Sequence, residues 1–103
     1  MARVPKLKAL SPEDVYRKLK DHPSWVVERS RIYRDFRFET FREALKFVLG
    51  VGAIAEKLRH HPNIFMHEYH FVRVETYTHL TGGLSAKDVE LAKTIAKLLP
   101  PGR

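Results

Sequence analysis

Apolar positions recur along the chain with two different periods, and the switches between them mark out seven elements. Ser11-Pro12-Glu13-Asp14 reads as a helix start: Ser11 is the N-cap, Pro12 stands where its missing N–H costs nothing, and Asp14 takes the N3 place of a capping box. Val15 and Leu19 form one seam, with Tyr16 beside it, and His22-Pro23 ends the helix because a residue before proline avoids the α region. Residues 24–29 and 31–39 read as strands joined by a tight link around Ser30. In the second, Ile32, Phe36 and Phe38 alternate with Tyr33, Asp35, Arg37 and Glu39, and Arg34 breaks the pattern. Thr40 caps a long central helix from residue 41 to about 59. A second hairpin follows over 64–67 and 70–78, with Val72, Val74 and Thr76 set against Arg73, Glu75 and Tyr77. After a Thr81-Gly82-Gly83 turn, Ser85 and Asp88 frame a capping box. The helix it opens carries Val89, Leu91, Ala92, Ile95, Ala96 and Leu99 at helical spacing until Pro100-Pro101 stops it. Residues 1–10 show no period and read as an irregular lead-in.

The order α-β-β-α-β-β-α predicts an α+β fold, one domain over residues 1–103, with a four-stranded, mostly antiparallel sheet carrying its helices on one face. The central helix is apolar on two sides. One stripe holds Phe41, Ala44, Leu45, Val48, Gly52 and Ala55, the other Phe47, Val51, Ile54 and Leu58. A single small sheet covers one of them, so the second, Phe47 to Leu58, is expected to meet another subunit, with Gly50 and Gly52 allowing close approach. The expectation is a homo-oligomer, a dimer or tetramer.

Composition changes this picture little. The chain is 44% hydrophobic and 30% charged, as an ordinary globular protein is. Its formal charge of +7 raises nucleic acid as a partner, but Lys and Arg are interleaved with Asp and Glu along the chain, which argues for a solvated basic surface instead. The longest apolar run, residues 47–55, is far short of the roughly 18 needed to span a bilayer. The opening Met-Ala-Arg-Val-Pro-Lys has no apolar leader core, so no membrane role and a cytoplasmic location are expected. Absence of cysteine removes disulfides and thiolate chemistry.

Candidate chemistry gathers at Glu56-Lys-Leu-Arg-His60-His61-Pro62. Glu56 and His60 are spaced to pair on one helix face, and His60 falls in the last turn, where the helix dipole favours a cation. His61, ahead of Pro62, is forced out of helical geometry and points elsewhere. His79 follows the last strand. Three imidazoles at two element boundaries suit proton transfer near neutral pH, although His60 and His61 read equally well as plain helix caps. His67-Glu68-Tyr69-His70 is one residue short of the zinc pattern H-E-x-x-H, and on a strand its histidines face opposite sides, so no metal site is expected. Asp88 as a cap and Trp25 as a core aromatic have purely structural readings too.

Taken together, Glu56-x-x-x-His60-His61-Pro62, Tyr69 after six residues, His79 preceded by Thr78 after nine more, Gly83-Leu84-Ser85, Asp88 and Leu91-Ala92 resemble the pterin-4a-carbinolamine dehydratases. Trp25, Phe36-x-Phe38-x-x-Phe41 and the long helix extend that resemblance over nearly the whole chain. It implies dehydration of 4a-hydroxytetrahydropterin, the product of pterin-dependent aromatic amino acid hydroxylases, to quinonoid dihydropterin, with no metal or cofactor. By the same likeness His60, His61 and His79 carry catalysis and pterin binding, with Glu56, Pro62, Trp25 and Asp88 in supporting roles. The sequence departs from the family where an acidic residue usually follows the Thr-His pair; Leu80 stands there. The family also includes members that act as assembly or dimerisation factors without catalysis.

Overall fold

The computed structural model describes residues 7–99. The opening hexapeptide, from which the absence of a leader was read, and the Pro100-Pro101 stop lie outside these residues. Ala9–Leu10 (β1) leads into α1, Pro12–Lys18; Val26–Val27 (β2) and Ile32–Arg37 (β3) follow, then α2, Phe41–Leu58. Asn63–His67 (β4), Phe71–Thr76 (β5), a 3₁₀ turn at His79–Thr81, Leu84–Ser85 (β6) and α3, Ala86–Ala96, complete the chain.

The main sheet has the order β2-β3-β5-β4, antiparallel throughout, so the two expected hairpins meet through β3 and β5. Period-2 alternation sets its faces. Ile32, Phe36, Val72, Val74 and Thr76 are buried on the helix side, while Tyr33, Asp35 and Arg73 occupy the other face. There Arg73 donates two hydrogen bonds to Asp35, at 2.7 and 3.0 Å, and its guanidinium lies over the Tyr33 ring. Arg34 keeps its inward parity opposite Val74, and its guanidinium sits 4.6 Å from the centre of the Phe36 ring. The ring face meets the guanidinium itself, and burial lowers the Arg34 pKa.

Several expectations are corrected here. The lead-in is not wholly irregular: β1 pairs with β6, a contact that two-residue strands are too short to announce by periodicity. On α2, the face packed on the sheet is Ala44, Phe47, Val51 and Ala55. Phe47 lies against Phe36 and Phe38, with ring centres 4.5 and 5.0 Å apart, which places the stripe expected at a subunit interface inside the domain. What stays uncovered is Phe41, Leu45 and Leu49, which are 52%, 40% and 72% exposed. Gly50 serves an approach within the chain, since a Cβ there would lie 3.1 Å from Leu98 Cδ1, whereas Gly52 faces open space. Helix α1 also stops at Lys18, short of the His22-Pro23 boundary, and the next residues turn back through a hydrogen bond from His22 N to Leu19 O. Among the described residues no helix is long and apolar enough to cross a membrane.

Candidate active site

Asp88 is the centre of the site. It stands at N3 of α3 and its side chain is fully buried. The capping box supplies one reason: Asp88 Oδ2 accepts from Ser85 N–H at 3.0 Å, closing the first turn as the sequence predicts. Three side chains add to it. Thr76 Oγ1 donates to Oδ1 and Thr78 Oγ1 to Oδ2, both at 2.7 Å, and His60 Nε2 lies 2.7 Å from Oδ1. A carboxylate has about four lone-pair sites, and all are used. A buried carboxylate can only accept, so the Thr78 hydroxyl proton points at Asp88. Ser85 Oγ therefore donates to Thr78 Oγ1 at 2.7 Å while receiving Lys87 N–H at 3.2 Å. The same logic fixes His60: Nε2–H donates to Asp88, and Nδ1 is the nitrogen left for exchange.

His60 reaches Asp88 because α2 ends two residues before it. Arg59 adopts the left-handed region at φ 53°, Arg59 N donates to Glu56 O, and His60 N donates to Ala55 O at 3.0 Å. This is a Schellman stop, with arginine in the place glycine usually fills. The reversal overturns the expected Glu56–His60 pair. His60 swings toward α3 and becomes nearly buried, and it is His61 that meets Glu56, Nε2 to Oε2 at 2.5 Å on the exposed side. Pro62 is half-buried between this corner and β4.

His79 opens the 3₁₀ turn directly after Thr78, so the Asp88 network ties the His60 corner to the segment that carries it. Its ring is exposed and packs edge-on to Tyr77, with centres 4.7 Å apart. Leu80, beside it, is 88% exposed. Trp25 lies elsewhere, buried in the core and edge-on to Phe36. His67 and His70 flank the β4–β5 turn, where Glu68 and Tyr69 both have positive φ, and no group of His, Asp or Glu among the described residues is arranged to hold a metal ion. Residue-by-residue reading missed Thr76 and Thr78 as site groups. The signal was present: both keep the inward parity of β5, where a threonine must find a buried partner.

A family model described as Pterin 4 alpha carbinolamine dehydratase matches residues 8–98. The chain belongs to the pterin carbinolamine dehydratase family. Curated relatives provisionally described as pterin-4-alpha-carbinolamine dehydratases include one from Prochlorococcus marinus, 36% identical over 79% of this chain and 84% of that protein. Another, from Sulfolobus acidocaldarius, is 35% identical over 86% of this chain and 97% of its own. Among solved structures, a transcriptional coactivator/pterin dehydratase from Brucella melitensis superposes with a TM-score of 0.81 at 29% identity, covering 90% of this chain and 100% of that one. A pterin dehydratase-like RuBisCO assembly factor of the alpha-carboxysome shares the fold at TM-score 0.62 and 20% identity, over 75% of this chain and 90% of that one. All of the family-like residues from Glu56 to Asp88 fall within the matched span.

Proposed function

We propose that this chain dehydrates 4a-hydroxytetrahydropterin to quinonoid dihydropterin and water in the cytoplasm, by histidine acid/base catalysis. The observation that carries the reading is the buried Asp88 carboxylate behind His60 Nε2, within a chain of this family. Dehydration breaks the C4a–O bond, returns a proton to the leaving hydroxyl and removes the proton from N5. Backed by a carboxylate, the imidazole of His60 can take up and release a proton at Nδ1 without changing its Nε2 bond. In this reading His60 and His79 act as proton donors, and His61, held by Glu56, orients the pterin. Positioned groups of this kind contribute roughly 10²- to 10⁴-fold. A pterin-dependent aromatic amino acid hydroxylase supplies the substrate.

Turnover of synthetic 4a-hydroxytetrahydropterin tests the reading, before and after exhaustive chelation. Wild-type protein should accelerate dehydration in both cases, and His60→Ala and His61→Ala should each slow it while leaving the fold stable. Wild-type protein no faster than buffer would sink the enzymatic reading.

A second reading, a non-catalytic oligomerisation or interaction module, draws on the uncovered α2 stripe. Phe41, Leu45 and Leu49 follow one another at single-turn spacing and form a continuous apolar strip. In either reading a second copy of this chain covers the strip in a homo-oligomer.

A further inference from the structure

The histidine rings of this chain are not held alike. Those of His60, His61 and His70 each have a hydrogen-bond partner, in Asp88, Glu56 and the Phe38 carbonyl. The exposed His79 imidazole has none among the described residues. Leu80 beside it is a hydrocarbon, 88% exposed, and offers it no hydrogen bond. An unheld surface imidazole changes rotamer within picoseconds to nanoseconds, over about three χ1 wells and two χ2 orientations. On that count it would occupy any one geometry about one sixth of the time. What His79 does touch is Tyr77, with ring centres 4.7 Å apart and planes at 71°, an edge-to-face pair. Tyr77 is suited to keep a neighbour still. Its side chain is half-buried, and its backbone is pinned on both sides, because Thr76 and Thr78 each donate a hydroxyl to the buried Asp88 carboxylate. Thr78 continues the extended backbone at φ −118° and ψ 111°, so inward parity at 76 and 78 turns 77 and 79 to the opposite side together.

We propose that Tyr77 is the positioning residue for His79: its ring holds the imidazole in one rotamer, and so does for His79 by aromatic contact what Asp88 does for His60 by hydrogen bonding. The inference rests on the reading of His79 as a proton donor. An aromatic pair of this kind biases a conformational choice by about twofold to tenfold, which spans the roughly sixfold that selecting a single rotamer can gain. The ring is therefore sufficient, and the Tyr77 hydroxyl is not required.

A double-mutant cycle on turnover of synthetic 4a-hydroxytetrahydropterin, with NMR of the His79 ring beside it, tests the assignment. Tyr77→Leu keeps apolar bulk at a half-buried position and should lower kcat about threefold to sixfold, and Tyr77→Phe, which keeps the ring, should restore it. In a His79→Ala background the same Tyr77→Leu change should have no further effect, since the ring it positions is gone. ¹³C relaxation should show the His79 ring ordered in the wild-type and Tyr77→Phe proteins and mobile in Tyr77→Leu. A ring as mobile in the wild-type protein as in Tyr77→Leu, or a loss of turnover undiminished in His79→Ala, overturns the assignment. Wild-type protein without turnover fails the functional reading itself, and the relaxation measurement, which needs no substrate, still decides whether Tyr77 holds the ring.

Discussion

Replacing Asp88 by asparagine keeps the shape of the side chain and removes its charge. Each carboxylate oxygen accepts two hydrogen bonds, so the new NH₂ must face two donors whichever way the amide is turned. Turned toward Ser85 it meets a backbone N–H that cannot become an acceptor. Turned toward Thr76 and His60 the conflict can be relieved, because the hydroxyl rotates and the imidazole can move its proton from Nε2 to Nδ1. The second arrangement is preferred, and it leaves His60 in the wrong tautomer. Bonds to a charged acceptor are worth roughly 1.5–3 kcal/mol and about twice their neutral counterparts. Weakening all of them costs about 3–5 kcal/mol, and the carboxylate that no longer has to be desolvated returns part of this. The expected net loss is about 2–3 kcal/mol out of the ~5–15 typical of a domain, so the variant folds. Urea unfolding followed by Trp25 fluorescence measures the loss, ¹⁵N shifts of the His60 ring report the tautomer, and turnover should fall at least about 10²-fold. An unchanged urea midpoint together with a retained Nε2–H would refute the network as described. A switched tautomer with full turnover would remove His60 from the proton path.

Arg59→Gly should stabilise the protein by up to about 1 kcal/mol, since glycine removes the left-handed penalty at the end of α2 and returns part of the gain as unfolded-chain entropy; a loss in urea unfolding would contradict this. Arg73→Met should raise the Asp35 carboxyl toward its ordinary range, because the Arg73 hydrogen bonds hold it below that range. With a lowered folded pKa, the wild-type pair stabilises the fold above the ordinary carboxylate pKa and ceases to as pH falls through the folded value. The two proteins should thus differ slightly near neutrality, the pair being half-exposed and screened by solvent, and converge in acid; a gap that persists in acid would assign the effect to packing. Leu45→Glu combined with Leu49→Glu should leave monomer stability within about 1 kcal/mol and reduce the mass seen by light scattering to that of a single chain. An unchanged multiple would move the interface elsewhere.

Much of this architecture is legible in the sequence because each helix start is written locally. Ser11 with Pro12, Thr40, and Ser85 with Asp88 place three N-termini, and the alternation in residues 32–38 and 72–76 places the two central strands. The failures share a physical origin. Two apolar stripes on α2 look alike until the aromatic side chains of β3 select one, and that choice depends on volumes brought together only by the fold. The Glu56–His60 pairing failed for a subtler reason: spacing of four residues implies contact only while the helix continues, and a left-handed Arg59 carries no sequence mark of the kind a glycine provides. At the site, the histidines and Asp88 were visible as a motif. Inward parity marks Thr76 and Thr78 as needing a buried partner but does not name Asp88, which they reach only after β5 and α3 have packed.

The capping box at Ser85 and Asp88 has an evolutionary consequence. One carboxylate closes the first turn of α3 and also fixes the ring of His60, so selection for folding alone retains it, together with Thr76, Thr78 and Ser85. A lineage freed from catalysis would keep this half of the signature unchanged while Glu56 and His61, exposed and paired only with each other, are left to drift. Under the proposed function, inheritance at those two surface positions is therefore a sharper record of catalysis than the buried aspartate.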